Sequence, residues 1–138
     1  MLFRSLNKGV PGICPVCEIM VVKVVEDIEG EGKVPDSAIL RGLKYVSLFQ
    51  RGERNLVRIV NSSFGKFQKA RTVSLMVNQL RQTRDGILIV GAAGNEDSRK
   101  RVYPAATRDA IAVSSLDAEG RKAVYSNFGS WEIGRAHV

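Results

Sequence analysis

Gly86-Ile87-Leu88-Ile89-Val90-Gly91-Ala92-Ala93-Gly94-Asn95 is the stretch on which the fold of this chain turns. Its apolar run, mostly β-branched and bounded by glycines, has the pattern of a buried strand. Gly and Ala from 91 to 94 leave room for another backbone, or a ligand, to come within hydrogen-bonding distance. Asn95 then presents a carboxamide, whose two N–H donors suit a developing negative charge.

The pattern alternates on both sides of this strand. Val73, Met76, Val77 and Leu80 recur at i, i+3, i+4 and i+7, which predicts a helix over about Ala70 to Arg84 with one face packed inward. Leu56 to Val60 reads as a strand before it. Pro35-Asp36-Ser37 offers a helix start, followed by Ile39, Leu43, Val46 and in part Phe49 at helical spacing, with Gly52 as the stop. Ile19 to Val25 is an apolar, β-branched run of the doubly buried kind, and Ala110 to Ser114 supplies a further strand. Strands alternating with helices of this length imply an α/β fold, with a mainly parallel sheet, right-handed crossovers and flanking helices. Ligands in such sheets sit beyond the carboxyl ends of the strands. Asn95 and the segment Asn61-Ser62-Ser63-Phe64-Gly65 both fall there.

Those two segments, followed in order by Tyr103-Pro104-Ala105 and Ser126-Asn127-Phe128-Gly129, resemble the middle of the catalytic domain of subtilisin-like serine peptidases, the subtilases. Asn61 to Gly65 is similar to the family's Asn-x-Ser-Leu-Gly, with Phe64 standing where the family has Leu. The resemblance implies that Ser63, Phe64 and Gly65 pair with the substrate main chain as an added strand, a mode that needs exposed backbone. It implies that Ala92, Ala93 and Gly94 form the opposite pocket wall, and that Asn95 is the oxyanion-hole donor, the one catalytic residue assigned. It also implies a cis Tyr103–Pro104 bond and a mostly structural role for Ser126 to Gly129. Asn-Ser-Ser also suits an ordinary turn, and no Gly precedes it as a nucleophile elbow requires.

Acyl transfer through a serine needs a nucleophile, a base and a group to orient that base. The family carries them in Asp-(Ser/Thr)-Gly, His-Gly-(Thr/His)-His and Gly-Thr-Ser-Met-Ala segments, none of which occurs here. The resemblance covers about Gly12 to Trp131. The expectation is therefore an incomplete subtilisin-like domain over 1–131, part of a serine endopeptidase, with this chain alone inactive. Glu132 to Val138 reads as the translation of GAG ATC GGA AGA GCA CAC GTC, which resembles the start of a common sequencing adapter. Residues 132–138 are thus expected to be a scar outside the fold, taking with them the only histidine, His137.

Composition narrows the partners. With 44% hydrophobic and 25% charged residues the chain reads as soluble and globular, with no apolar run near the roughly 20 residues of a membrane span. The +7 formal charge is scattered and lacks aromatic interleaving, so nucleic acid is not the expected partner; peptide or protein substrates are. Cys14-Pro15-Val16-Cys17 is a single CxxC without the further ligands zinc needs, and the family's small residues at these positions imply two small buried thiols. Gly30-Glu31-Gly32 is no dinucleotide fingerprint, since Pro35 takes the third glycine position. No metal ligand and no cofactor is assigned; the family allows calcium in a full-length member, and often secretion, although Met1 to Ser5 has no secretory pattern. Oligomeric state stays open. Two other readings remain: a non-catalytic subtilase-like domain that binds peptides by strand addition, and a small basic α/β module that binds nucleic acid.

Overall fold

The structure is a computed structural model that describes Cys14, residues 16–132 and the backbone of 134–137; Met1 to Ser5, Gly12, Ile13 and Pro15 of the motifs above lie outside the described residues. In chain order the elements are β1 (Glu26–Ile28), β2 (Glu31–Lys33), α1 (Asp36–Ser47), β3 (Gln50–Arg51), β4 (Arg54–Asn55), β5 (Ile59–Ser62), α2 (Arg71–Gln82), β6 (Leu88–Ala92), β7 (Ala110–Leu116) and β8 (Gly134–His137). β5, β6, β7 and β8 form one parallel sheet in that order, with Ser62 opposite Gly91 and Ala92 opposite Val113. Two short antiparallel hairpins, β1–β2 and β3–β4, flank α1.

The core follows from the two helical stripes. Ile39, Leu43 and Val46 of α1 and Val73, Val77 and Leu80 of α2 are buried together against Ile87, Ile89 and Ala110 of the sheet side. Burying such side chains is worth about 1.5–3 kcal/mol each, and this layer is what holds the helices on the sheet. Pro35 caps α1, its carbonyl accepting from Ala38 and Ile39, and Asp36 in the first turn and Lys44 in the last match the helix dipole. No helix among the described residues is long and apolar enough to cross a membrane.

Three sequence expectations are corrected. Ile19 to Val25 joins no ladder, and Ile19, Val21 and Val25 are exposed, because no strand among the described residues pairs with it. The strand expected over Leu56 to Val60 starts at Ile59: the Leu56 amide is bound to the Phe49 carbonyl at 2.9 Å, and β6 begins only at Leu88. Gly52 does not stop α1, which ends at Ser47; it turns the β3–β4 hairpin at φ 63°. The Gly134–His137 backbone, within the segment expected to be a scar, pairs with β7. That pairing uses main-chain groups at an open edge, which accept any suitable extended segment whatever its side chains.

Cys14 and Cys17 depart from expectation too. They are exposed and joined in a disulfide, not two buried thiols. Val16 between them is exposed as well.

Candidate functional site

Parallel pairing brings the carboxyl ends of β5 and β6 to the same edge of the sheet. Because Ser62 sits opposite Gly91, the residues that follow each strand leave side by side. Ser63, Phe64 and Gly65 on one side and Ala92, Gly94 and Asn95 on the other line a single cleft of about 330 Å³. Ala93 lies behind the wall: its side chain is buried, and its amide donates to the Val113 carbonyl at 2.9 Å. Six of the seven residues expected at a site therefore share one cavity, and the seventh anchors it.

Each wall is held by its own device. Lys66 and Tyr103 exchange both backbone hydrogen bonds, at 3.0 and 2.8 Å, which fixes the end of the Ser63–Gly65 segment. A Cβ on Gly65 would strike the Val102 side chain and come within 2.9 Å of the Tyr103 carbonyl oxygen. Glycine is needed there so that the neighbouring segment can approach. The Tyr103–Pro104 bond is cis, as the family resemblance implied.

The second wall is clamped by Asn127, which is fully buried. Its Nδ2 donates to the Ala93 carbonyl at 3.0 Å and to Glu96 Oε2 at 2.7 Å, while its Oδ1 accepts from the Glu96 and Ser98 amides at 3.0 Å each. The Asn127 amide adds a bond to the Gly94 carbonyl at 3.0 Å. Gly94 has φ 109° and would carry a Cβ into Asn127 Nδ2 and to 2.6 Å from Glu96 Oε2, so no other residue fits. Glu96 also accepts from the Asn95 amide at 3.0 Å. The Asn95 main chain is thereby fixed, while its carboxamide makes no hydrogen bond within the described residues and faces solvent at the cleft. Lys122 stitches the outer turn: its Nζ donates to Asp97 Oδ1 at 2.7 Å, to the Ala123 carbonyl at 3.0 Å and to the Ser126 carbonyl at 3.2 Å.

Sequence reasoning gave Asn127 no more than a general structural role. The signal was there in Ser126-Asn127-Phe128-Gly129, but the bonding partners lie about thirty residues away and no local pattern names them. It also missed a spatial pairing of cations with rings: Lys100 Nζ lies 5.4 Å from the Phe67 ring centre and Lys69 Nζ 5.9 Å from that of Tyr103. The charged residues lining the cleft itself are Lys66 and Glu96. No three His, Cys, Asp or Glu side chains among the described residues stand close enough to hold a metal ion.

Chemically, this arrangement offers a rigid loop that presents one free amide donor over a groove flanked by exposed backbone. A sequence profile of the Subtilase family matches residues 2–136. The chain is 33% identical over 121 residues to the thermostable alkaline protease of Halalkalibacterium halodurans, covering 88% of this chain and 30% of that protein. It is 32% identical over 122 residues to subtilisin Savinase of Lederbergia lenta, covering 88% and 41%. Among solved structures, a mutant form of the protease domain of PatA superposes with a TM-score of 0.77 at 26% identity, over 92% of this chain and 44% of that one. The chain thus spans between about a third and a half of the relatives it matches. A match that runs through both helices and every strand of the sheet leaves one assignment: this chain belongs to the subtilase family, the subtilisin-like serine peptidases.

Proposed function

We propose that this chain is the part of a serine endopeptidase that holds the substrate and stabilises the oxyanion. The observation that carries the reading is the free Asn95 carboxamide, on a main chain fixed by Glu96 and Asn127, in the same cleft as Ser63, Phe64 and Gly65. In this reading an extended peptide adds to the Ser63–Gly65 backbone as a strand, with Ala92 and Gly94 opposite. The scissile carbonyl then lies within reach of the Asn95 N–H, which stabilises the negative oxygen formed when a serine attacks. Loss of one such donor lowers turnover about 10²–10³-fold, a scale set by subtilisin itself.

The attacking serine and its histidine and aspartate partners are not supplied by any motif of this sequence. The chain alone is therefore expected not to hydrolyse casein. Release of acid-soluble peptides by the purified chain, abolished by a serine-directed inhibitor, would refute that expectation. A second reading is a peptide-binding domain without catalysis, in which the same Ser63–Gly65 and Ala92–Asn95 cleft takes an extended peptide. Sequencing the source DNA across both ends of the reading frame separates the two, since only a peptidase gene carries Asp, His and Ser motifs around this segment. The same experiment tests whether residues 132–138 are native. A nucleic-acid module predicts retention on DNA that weakens steeply with salt, and it gives the free Asn95 no task.

A further inference from the structure

Cys14-Pro15-Val16-Cys17 is a motif that the proposed peptidase function leaves without a task. Its cysteines are joined to each other, and the chain has no third. Three observations set this bond apart from one that holds a fold together. The first is loop length. The bond joins residues at a sequence separation of 3, and the freedom a cross-link removes from the unfolded chain grows with the loop it closes, so this one removes little. The second is position. Neither cysteine belongs to the buried cluster of Ile39, Leu43, Val46, Val73, Val77 and Leu80 that seats the helices. The run that follows is seated on α1 further along, where a Cβ on Gly42 would lie 3.3 and 2.9 Å from methyl groups of Val22 and Val24. The third is access. Cys14, Val16, Cys17 and every residue from Glu18 to Met20 are exposed, and exchange begins with a thiolate reaching a disulfide sulfur.

The backbone supplies the other half of a reversible device. The Cys17 amide donates to the Cys14 carbonyl at 3.2 Å, so a main-chain turn keeps the two side chains together when the sulfur bond is open. Closing the bond is then an intramolecular step at high effective concentration. Among the described residues no His, Asp or Glu stands with the pair in a group of three that could hold a metal ion. We infer that Cys14 and Cys17 are a redox-active pair, opened by a dithiol and closed by a small disulfide, while the domain around them stays folded. In the opening step a thiolate of the dithiol attacks one sulfur, forms a mixed disulfide and releases the other cysteine, which takes up a proton. The second thiol of the reductant then attacks the mixed disulfide, closes the reductant into its own disulfide and frees the second cysteine. Two electrons and two protons pass to the chain, which gains two thiols; oxidised glutathione runs the exchange backwards and leaves as two reduced molecules. The inference rests on the turn and its exposure and stands apart from the proposed catalysis.

The test uses the whole 138-residue chain purified in air without reductant. Thiols are counted with a chromogenic aryl disulfide, the reductant is dithiothreitol, and a urea titration follows the fold before and after reduction. The isolated chain is expected to show no thiol, and dithiothreitol in native buffer to release both at a rate within about tenfold of that in urea. The urea midpoint of the reduced chain stays where it was. Oxidised glutathione then removes both thiols, and mass spectrometry finds no glutathione left on the chain. Cys17→Ser, which has lost the resolving thiol, instead keeps one glutathione on Cys14. A native rate more than about tenfold below that in urea overturns the inference, because the bond is then shielded. A midpoint that falls on reduction overturns it by making the bond structural, and so does a chain with no cooperative urea transition in either state. Thiols that glutathione does not close, a native chain that ends carrying two glutathiones, or stoichiometric zinc on the purified chain each overturn it as well.

Discussion

Replacing Asn127 by Ala tests the clamp that fixes the Asn95 loop. The side chain makes four hydrogen bonds in the described structure, three with neutral backbone groups and one with the Glu96 carboxylate. A neutral hydrogen bond contributes about 1 kcal/mol and a charged one about 1.5–3 kcal/mol, which gives an upper figure of about 6 kcal/mol. Glu96 is exposed and Ser98 half-buried, so water takes up part of what is lost. The expected destabilisation is therefore about 3 kcal/mol, seen as a fall of about 1–3 M in the urea midpoint. Asn127→Asp keeps the size and the acceptors but sets a carboxylate against Glu96 Oε2, and it destabilises at least as much. Adding Glu96→Gln to it restores a donor opposite the new carboxylate and recovers about 1–2 kcal/mol, a coupling that a purely volumetric role of Asn127 does not produce. A midpoint shift worth less than about 0.5 kcal/mol for Asn127→Ala, or an Asp/Gln pair with no coupling, would refute the clamp.

Gly65→Ala forces a methyl group against Val102 and the Tyr103 carbonyl and is expected to destabilise by about 1–3 kcal/mol; faster exchange of the Lys66 and Tyr103 amides locates the damage. Asn95→Ala removes an exposed side chain with no internal bond and is expected to leave the unfolding midpoint within about 0.5 kcal/mol, so any loss of oxyanion stabilisation in a complete enzyme is separable from misfolding. Val77→Ala empties a fully buried position of α2 and is expected to lower stability by about 2–3 kcal/mol. Leu75→Ala on the exposed side of the same helix is the matched control, with a shift near zero in thermal denaturation.

What could be read from the sequence was what neighbours along the chain decide. The stripes Ile39, Leu43, Val46 and Val73, Val77, Leu80 were legible because a helix places its own residues on one face, and α2 runs from Arg71 to Gln82 within the expected bounds. The Ile87–Val90 run was legible as a strand and enters β6, with Ile89 buried and Leu88 and Val90 half-buried. Ile19 to Val25 carries the same signature, yet its exposure depends on whether another strand lies beside it, a property of no residue within the run. The three-residue displacement of β5 comes from the β3–β4 hairpin taking Leu56, a long-range competition that composition does not encode. The candidate site divides the same way. Asn95 and Ser63 to Gly65 were found because motif and position coincide, whereas the bonding of Asn127 and the cations over Phe67 and Tyr103 exist only once distant segments meet.

The Lys122 ammonium gathers oxygens from Asp97, Ala123 and Ser126 around one positive centre. A bound cation performs the same service at many loop junctions, but it exchanges with the medium and is stripped by chelators. This charge is tethered to the chain by four methylenes, so dilution and chelating agents leave it in place. Its vulnerability is chemical instead: acylation or carbamylation of a single amine turns a three-way donor into a neutral amide or urea and unlaces the turn beneath the Asn95 loop.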